Sequence, residues 1–233
     1  MRNVCVALAL LLLFAGCSSQ AEVPARQQEP WETVELPQPR LAGSVSVEEA
    51  LLERRSVRQY SDDSLGLEEA SQLLWAAQGV TADWGGRTAP SAGALYPLEL
   101  YLAAVRVEGL AAGVYKYVPN GHELVVVCQG DVARELADAA LGQGSVRDAA
   151  AVLVFTAVYQ RTTAKYSERG MRYVHMEAGH AAQNVLLQSS ALGLGCVVVG
   201  AFDDDALREV LNAPEEETPL YLIPVGALPV GNS

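Results

Sequence analysis

A single long helix is the strongest structural signal in this chain. Residues 173–192 are rich in alanine, and they predict one helix that packs closely at the centre of a domain. Around it the sequence predicts strands, among them residues 98–107 and a buried strand at 150–159. Because helices and strands follow one another without regular alternation, the pattern favours an α+β fold over a doubly wound sheet.

Two helices are predicted ahead of this core. Ser46 and Glu49 have the spacing of a capping box, so a helix is expected to begin at Val47. A second helix is expected to begin near Leu67 and to end at Gly79. The later elements are a hairpin of residues 113–117 and 124–128 around Asn120-Gly121, helices at 131–141 and 204–211, and strands at 196–199 and 220–225.

The first residues have the pattern of an export signal. Arg2 precedes an apolar run, residues 4–14, that is too short to span a bilayer as a helix, and small residues follow it. The sequence LFAGC at residues 13–17 resembles the lipobox of bacterial lipoproteins, which implies that Cys17 carries lipid; a plain signal peptide is the alternative. We therefore expect an exported protein, held at the outer membrane or cell surface through its lipid anchor alone. The expected boundaries are a lipoprotein signal peptide at 1–17, a flexible tether at 18–45 and a folded domain at 46–228.

Charge sets the next constraint. The formal net charge is −12, so the phosphate backbone of nucleic acids would be repelled and no nucleic-acid partner is expected. Within so acidic a chain, Arg54, Arg55, Ser56 and Arg58 stand together directly after the first predicted helix. Guanidinium groups are permanently charged and bind phosphate in a bidentate manner, so this segment predicts a phosphate site. The alternative is a solvated run of charge.

The loop at residues 87–97 is a second candidate binding segment. Pro90 stiffens it, and Ala92 and Gly93 leave its backbone open to close approach by a flat ligand; an ordinary surface loop is the alternative. The glycines at 193 and 195 do not form a dinucleotide-binding fingerprint, because they end a helix and precede a strand.

No metal site is predicted. His175 and His180 are five positions apart, which places their rings roughly 140° apart on a helix, and Glu177 is expected to hydrogen-bond to His180 instead. No cysteine spacing typical of metal sites occurs. Cys128 and Cys196 could pair in an oxidising compartment or remain two buried thiols.

Four segments, in order, resemble the nitroreductase superfamily and, within it, the SagB-type dehydrogenases. RRSVRQY at residues 54–60 is similar to the RRSxRxY/F segment that opens these flavoproteins. PSAGALYP at 90–97 resembles the PSxGALYP loop of the SagB-type branch. Residues 172–184 are similar to its RY…EAGHxAQN helix, and residues 193–204 to its GLG…GxFDD stretch.

The resemblance implies a nitroreductase-like α+β fold, with an antiparallel or mixed central sheet flanked by helices, in a domain-swapped homodimer with FMN at the subunit interface. Val199 and Gly200 would offer backbone groups near flavin N5, where a hydrogen bond stabilises charge on the reduced ring. Lys165 and Tyr166 match a Lys-Tyr pair that assists proton removal in some members; a mobile polar loop is the alternative. The remaining implied contacts are Arg54, Arg55, Ser56 and Arg58 to the FMN phosphate and ribityl chain, and Pro90, Ser91, Ala92 and Gly93 to the isoalloxazine ring from the partner subunit.

The implied activity is FMN-dependent oxidoreduction. Hydride would move at flavin N5 to or from a small molecule or a peptide azoline, and NAD(P)H is a candidate electron donor. Two features separate this chain from typical members: it has no basic residue near its C-terminus, where nitroreductases often place one against the phosphate, and an exported domain would meet little NAD(P)H. The alternative function is therefore a non-catalytic, surface-tethered lipoprotein that binds a flavin or another ligand.

Overall fold

A seven-stranded antiparallel sheet forms the centre of the computed structural model, which describes residues 32–229. The strand order is β1-β4-β3-β2-β5-β7-β6. The expected α+β fold, with an antiparallel central sheet flanked by helices, is confirmed. The strands are β1 (Thr33–Glu35), β2 (Leu98–Ala104), β3 (Gly113–Val118), β4 (Glu123–Gln129), β5 (Ala151–Ala157), β6 (Leu194–Cys196) and β7 (Thr218–Ala227).

Strand β5 lies inside this sheet, between β2 and β7, and all seven of its residues are buried. Its side chains alternate between two hydrophobic clusters: Leu153 and Phe155 face one cluster, and Val152 and Val154 face the other. Helices cover both clusters, which explains why the strand is apolar on both faces.

Seven helices flank the sheet within residues 32–229. Residues of α2 and α6 contribute to the first cluster, and residues of α3, α4 and α7 contribute to the second. The helices are α1 (Val47–Glu53), α2 (Leu67–Gln78), α3 (Ala133–Ala139), α4 (Gly144–Arg147), α5 (Gln160–Tyr166), α6 (Arg169–Ala191) and α7 (Asp204–Val210). The predicted central helix is α6, which begins one turn earlier than expected.

Local signals fix several helix ends. The Ser46 hydroxyl accepts a hydrogen bond from Glu49 N–H at 3.1 Å, so the predicted N-cap of α1 is confirmed. Gly193, with φ +72°, follows the end of α6 in the left-handed conformation that suits glycine.

The prediction of a flexible tether reaching residue 45 is wrong for its second part. Residues Thr33–Glu35 form β1, which pairs with the outer side of β4, and Leu36 is 5% exposed. The Pro37 carbonyl then accepts hydrogen bonds from the Ser71 hydroxyl, at 2.6 Å, and from His122 Nε2, at 2.9 Å. The folded domain therefore begins before residue 46. The signal peptide, Cys17 and residues 18–31 lie outside the described residues.

Three further points follow from residues 32–229. Within that range no helix combines the length and apolar character needed to cross a bilayer. Cys128 and Cys196 are both free thiols, so the pairing left open by the sequence is not formed. No cluster of metal-ligating side chains occurs in the same part of the chain.

Candidate active site

The arginine segment lies along one end of the sheet. Arg54 ends α1, and its N–H donates to the Ala50 carbonyl at 3.0 Å. Val57 N–H then donates to the Cys196 carbonyl of β6 at 2.9 Å. The Val57 side chain covers Gly195 so closely that a Cβ there would lie 2.7 Å from Val57 Cγ1. Backbone bonds and packing therefore fix the segment against β6.

Two of its three arginines have side chains that meet no partner in the described part of the chain. Within residues 32–229, the guanidinium groups of Arg54 and Arg58 and the hydroxyl of Ser56 make no hydrogen bond or ion pair. Arg55 differs, because its Nη1 donates to the Leu52 and Arg54 carbonyls, both at 2.8 Å, and so caps the end of α1. Arg54 and Arg58 are thus available to an anion, whereas the structure gives Arg55 a role in the helix.

The loop at residues 87–97, called the small-residue loop below, contains a tight turn. Residues Ala92–Ala94 form one turn of 3₁₀ helix, in which Gly93 has φ +65° and Ala94 has φ +54°. The position of a Cβ on Gly93 would lie 2.8 Å from Tyr166 Oη and 3.0 Å from Lys165 Nζ. Both the positive φ and the space occupied by the ends of Lys165 and Tyr166 favour glycine here.

Lys165 and Tyr166 belong to helix α5, so the alternative of a mobile polar loop at this pair is wrong. Helix α5 packs against α6 at Gly170, where a Cβ would lie 2.9 Å from the Thr163 Cα. The Tyr166 ring meets the Tyr173 ring of α6 edge to face, with 5.2 Å between the centroids. Lys165 itself is exposed in the single chain.

The two residues predicted to face the flavin N5 edge differ in what their backbones can offer. Val199 N–H donates to the Leu222 carbonyl at 2.8 Å, so it cannot serve as the predicted donor. Gly200 is exposed, and its N–H makes no hydrogen bond to any described residue. Of the pair, only Gly200 has an N–H that no described residue accepts.

Sequence reasoning missed the environment of Glu177. This residue is 2% exposed, whereas His180 is exposed, so the predicted hydrogen bond between them is wrong. Burial raises the pKa of Glu177 to about 7, against the opposing effects of the Ser91 hydroxyl and the Arg87 guanidinium. One carboxyl oxygen, Oε1, has no hydrogen-bond partner among the described residues. Helical spacing contained a signal, because Glu177 lies three residues after Val174 and four before Ala181, both fully buried.

The predicted site residues thus form two groups. Arg54, Ser56 and Arg58 lie with β6 and the strand end that leads to Gly200. The loop around Gly93 lies with Lys165 and Tyr166, beside Glu177. No hydrogen bond or ion pair between described residues of this one chain joins the arginine segment to the Gly93 loop.

Known proteins with similar sequences or structures cover most of the described residues. A protein of Methanocaldococcus jannaschii, provisionally named a nitroreductase, is 49% identical over 195 residues, which are 84% of this chain and 97% of the relative. A crystal structure from Ralstonia eutropha, also provisionally named a nitroreductase, has 30% identity and a TM-score of 0.74, covering 84% of this chain and 90% of its own.

A more distant similarity reaches the microcin B17-processing protein McbC of Escherichia coli. It is 31% identical over 134 residues, which are 54% of this chain and 48% of that protein. The family model for nitroreductases matches residues 51–227, about three quarters of the sequence, and spans every predicted site residue except Cys17. The chain therefore belongs to the Nitroreductase family.

Proposed function

We propose that this protein is an FMN-dependent oxidoreductase of the SagB-type branch of its family. The observation that carries the proposal is the arginine segment: two guanidinium groups and a hydroxyl that have no partner among residues 32–229, on a backbone fixed to β6. Guanidinium groups on a fixed backbone suit a phosphate, because the backbone loses little conformational entropy when the phosphate binds.

The residues present fit the cofactor at both of its ends. Arg54, Ser56 and Arg58 would hold the phosphate and the ribityl chain. The Pro90–Gly93 loop presents little side chain, so a flat ring could lie against its backbone. Gly200 would offer its free N–H to the ring edge. When bound, FMN supplies hydride transfer at its N5 atom.

The residues of this chain would then move the proton. Lys165 Nζ and Tyr166 Oη both lie close to Gly93, and both carry exchangeable protons. A proton could pass between either group and a substrate seated over the loop. Glu177 lies near Ser91 of the same loop, and burial raises its pKa to about 7, so its carboxyl would hold a further proton near neutral pH.

The substrate is proposed as a small molecule or a peptide azoline. The peptide class is supported by the PSAGALYP loop, by Lys165-Tyr166 and by the similarity to the microcin B17-processing protein. NAD(P)H is a candidate electron donor, and an exported domain would take its electrons from another reductant.

Titration with FMN tests the proposal. We expect the protein to bind FMN with a Kd in the micromolar range or below and to yield a flavin that dithionite reduces. Arg58→Ala should raise the Kd roughly 10- to 100-fold, the loss expected for a charge-assisted hydrogen bond of about 1.5–3 kcal/mol. Arg134→Ala is the matched control, because this side chain is 90% exposed on α3. Failure of the wild-type protein to take up FMN would end the proposal.

We also propose that the protein is a lipoprotein anchored through Cys17, on the strength of the leader and its lipobox. Bacteria expressing the full chain should incorporate labelled palmitate into the wild type and into Cys128→Ala, and not into Cys17→Ala. Equal labelling of the Cys17 variant would refute the anchor.

A second candidate function is a non-catalytic, flavin- or ligand-binding lipoprotein. It is favoured by residues 225–229, which contain no basic side chain to meet a phosphate. FMN titration followed by a turnover assay with NADH and a nitrofuran separates the enzyme from the non-catalytic lipoprotein. Tight binding of a reducible flavin that turns over supports the enzyme. Binding without any turnover supports the non-catalytic lipoprotein.

A further inference from the structure

Tyr96, at the end of the small-residue loop, is held at four points. Its ring lies under the Arg87 guanidinium, with 4.4 Å from Cζ to the ring centroid. Its hydroxyl accepts from Arg87 N–H at 3.3 Å, and its own N–H donates to the Ser91 hydroxyl at 2.9 Å. Its carbonyl accepts from Arg161 Nη1 at 3.1 Å. We call Arg87, Ser91, Tyr96 and Arg161 the Tyr96 clasp.

The backbone of Tyr96 is itself unusual. Its φ is +45°, in the left-handed region that large side chains rarely adopt. Such a conformation persists only where the surroundings fix it, and it is concentrated at functional sites. The four contacts of the clasp are the surroundings that fix it here.

Arg161 connects the clasp to helix α5. Its other terminal nitrogen forms an ion pair with Glu99 of β2, which also pairs with Lys116 Nζ at 3.0 Å. Glu99 is mostly buried, with 16% of its side chain exposed, so its position is well defined. One guanidinium group thus bridges the loop end and the sheet, which the planar fork of an arginine allows and a lysine does not.

Arg161 is also one helical turn before Lys165, on the same face of α5. Lys165 and Tyr166 in turn meet the loop at Gly93. The loop and helix α5 are therefore joined twice, by Arg161 at Tyr96 and by the Lys-Tyr pair at Gly93.

We infer that Arg161 is a positioning residue, which fixes helix α5 to the end of the small-residue loop and thereby holds Lys165 and Tyr166 against Gly93 for proton transfer. This inference rests on the proposed function for its chemical consequence. The structural part of the inference, the placement of Lys165, does not rest on the proposed function.

The sequence offers a direct reporter of that placement, because Lys116 and Lys165 are its only lysines. Reductive ¹³C-methylation of the full chain in detergent gives one side-chain NMR signal from each lysine, and Lys165→Arg assigns the two signals.

In Arg161→Met, the Lys165 signal should narrow and move to the position of a free methylated lysine. Arg134→Met should leave the Lys165 signal unchanged. In Arg161→Lys, the new side chain can reach only one of the two acceptors, the Tyr96 carbonyl or Glu99, so the Lys165 signal should lie between those of the wild type and Arg161→Met. An unchanged Lys165 signal in Arg161→Met would refute the inference.

Turnover with NADH and a nitrofuran tests the chemical part. Arg161→Met and Lys165→Met should each lower kcat about 10- to 100-fold, the range expected when a reacting group is misplaced by an ångström, with less than about threefold change in FMN Kd. If Arg161 acts through Lys165, the double variant should be no slower than Lys165→Met alone. Additive losses, or a loss of FMN affinity equal to the loss of rate, would make Arg161 a merely structural residue. Absence of FMN binding in the wild type would count against the proposed function, and the NMR result would still decide the placement.

Discussion

At the scale of single residues, the burial of Glu177 makes the stability of the fold depend on pH. A carboxyl that is 2% exposed and has one oxygen without a partner among the described residues is expensive to ionise. Burial accordingly raises its pKa to about 7, from 4.5 in the unfolded chain. Between these two values the folded protein holds a proton that the unfolded chain has lost.

The sign of the resulting pH dependence follows from this difference. Where the folded state binds more protons, the free energy of unfolding falls as pH rises, so Glu177 destabilises the fold progressively between about pH 4.5 and about pH 7. The loss amounts to roughly 3 kcal/mol in total. Glu177→Gln keeps the shape of the side chain and removes its titration, so this variant should lack that part of the loss.

Urea denaturation of both proteins at about pH 5 and about pH 8 measures the effect, because titration of all other groups is common to the two. Wild type and Glu177→Gln should be close in stability at the lower pH, with the variant more stable at the higher. Parallel losses in the two proteins would show that Glu177 does not titrate with a raised pKa.

At the scale of helices and strands, sequence patterns predicted the elements that depend on contacts between residues close in sequence. The N-cap of α1 at Ser46 and the hairpin of β3 and β4 depend on neighbours in sequence, and both were predicted correctly. Strand β1 was missed, because its three residues become a strand only by pairing with β4, some ninety residues later. Helix α5 was missed for a similar reason: it has a single buried residue, Thr162, and depends on close packing at Gly170.

The same difference between local and long-range interactions applies to the candidate site. Residue types and order identified the arginine segment, the loop and the Lys-Tyr pair, because these motifs are continuous in sequence. Their mutual placement was not available, since it depends on Val57 bonding to Cys196 and on Lys165 and Tyr166 meeting Gly93. The commitment of Val199 N–H to Leu222 likewise arises from sheet pairing, which no local pattern indicated.

At the scale of the whole molecule, two features of the described chain favour the predicted homodimer. Val47, Leu51 and Leu52 of α1 and Met176 of α6 are exposed apolar side chains, between 52% and 73% accessible, which favours burial in a subunit interface. The arginine segment and the Gly93 loop share no polar contact within the described chain. In a homodimer, each flavin would take its phosphate site from one subunit and its ring site from the other. Such a dimer would bury the exposed apolar side chains and bring the arginine segment of one subunit to the Gly93 loop of the other.

Complementation between two defective variants tests this arrangement. Arg58→Ala damages the phosphate site, and Gly93→Val damages the loop, since a side chain there would collide with Lys165 and Tyr166 at a φ of +65°. If each site draws on both subunits, a heterodimer of the two variants contains one doubly damaged site and one intact site. Heterodimers purified through two different tags should then bind one flavin at a concentration at which neither parent homodimer binds any. If each subunit forms its own site, every site in the heterodimer carries one defect and no binding returns, so an empty heterodimer of normal mass and stability would rule out the shared site.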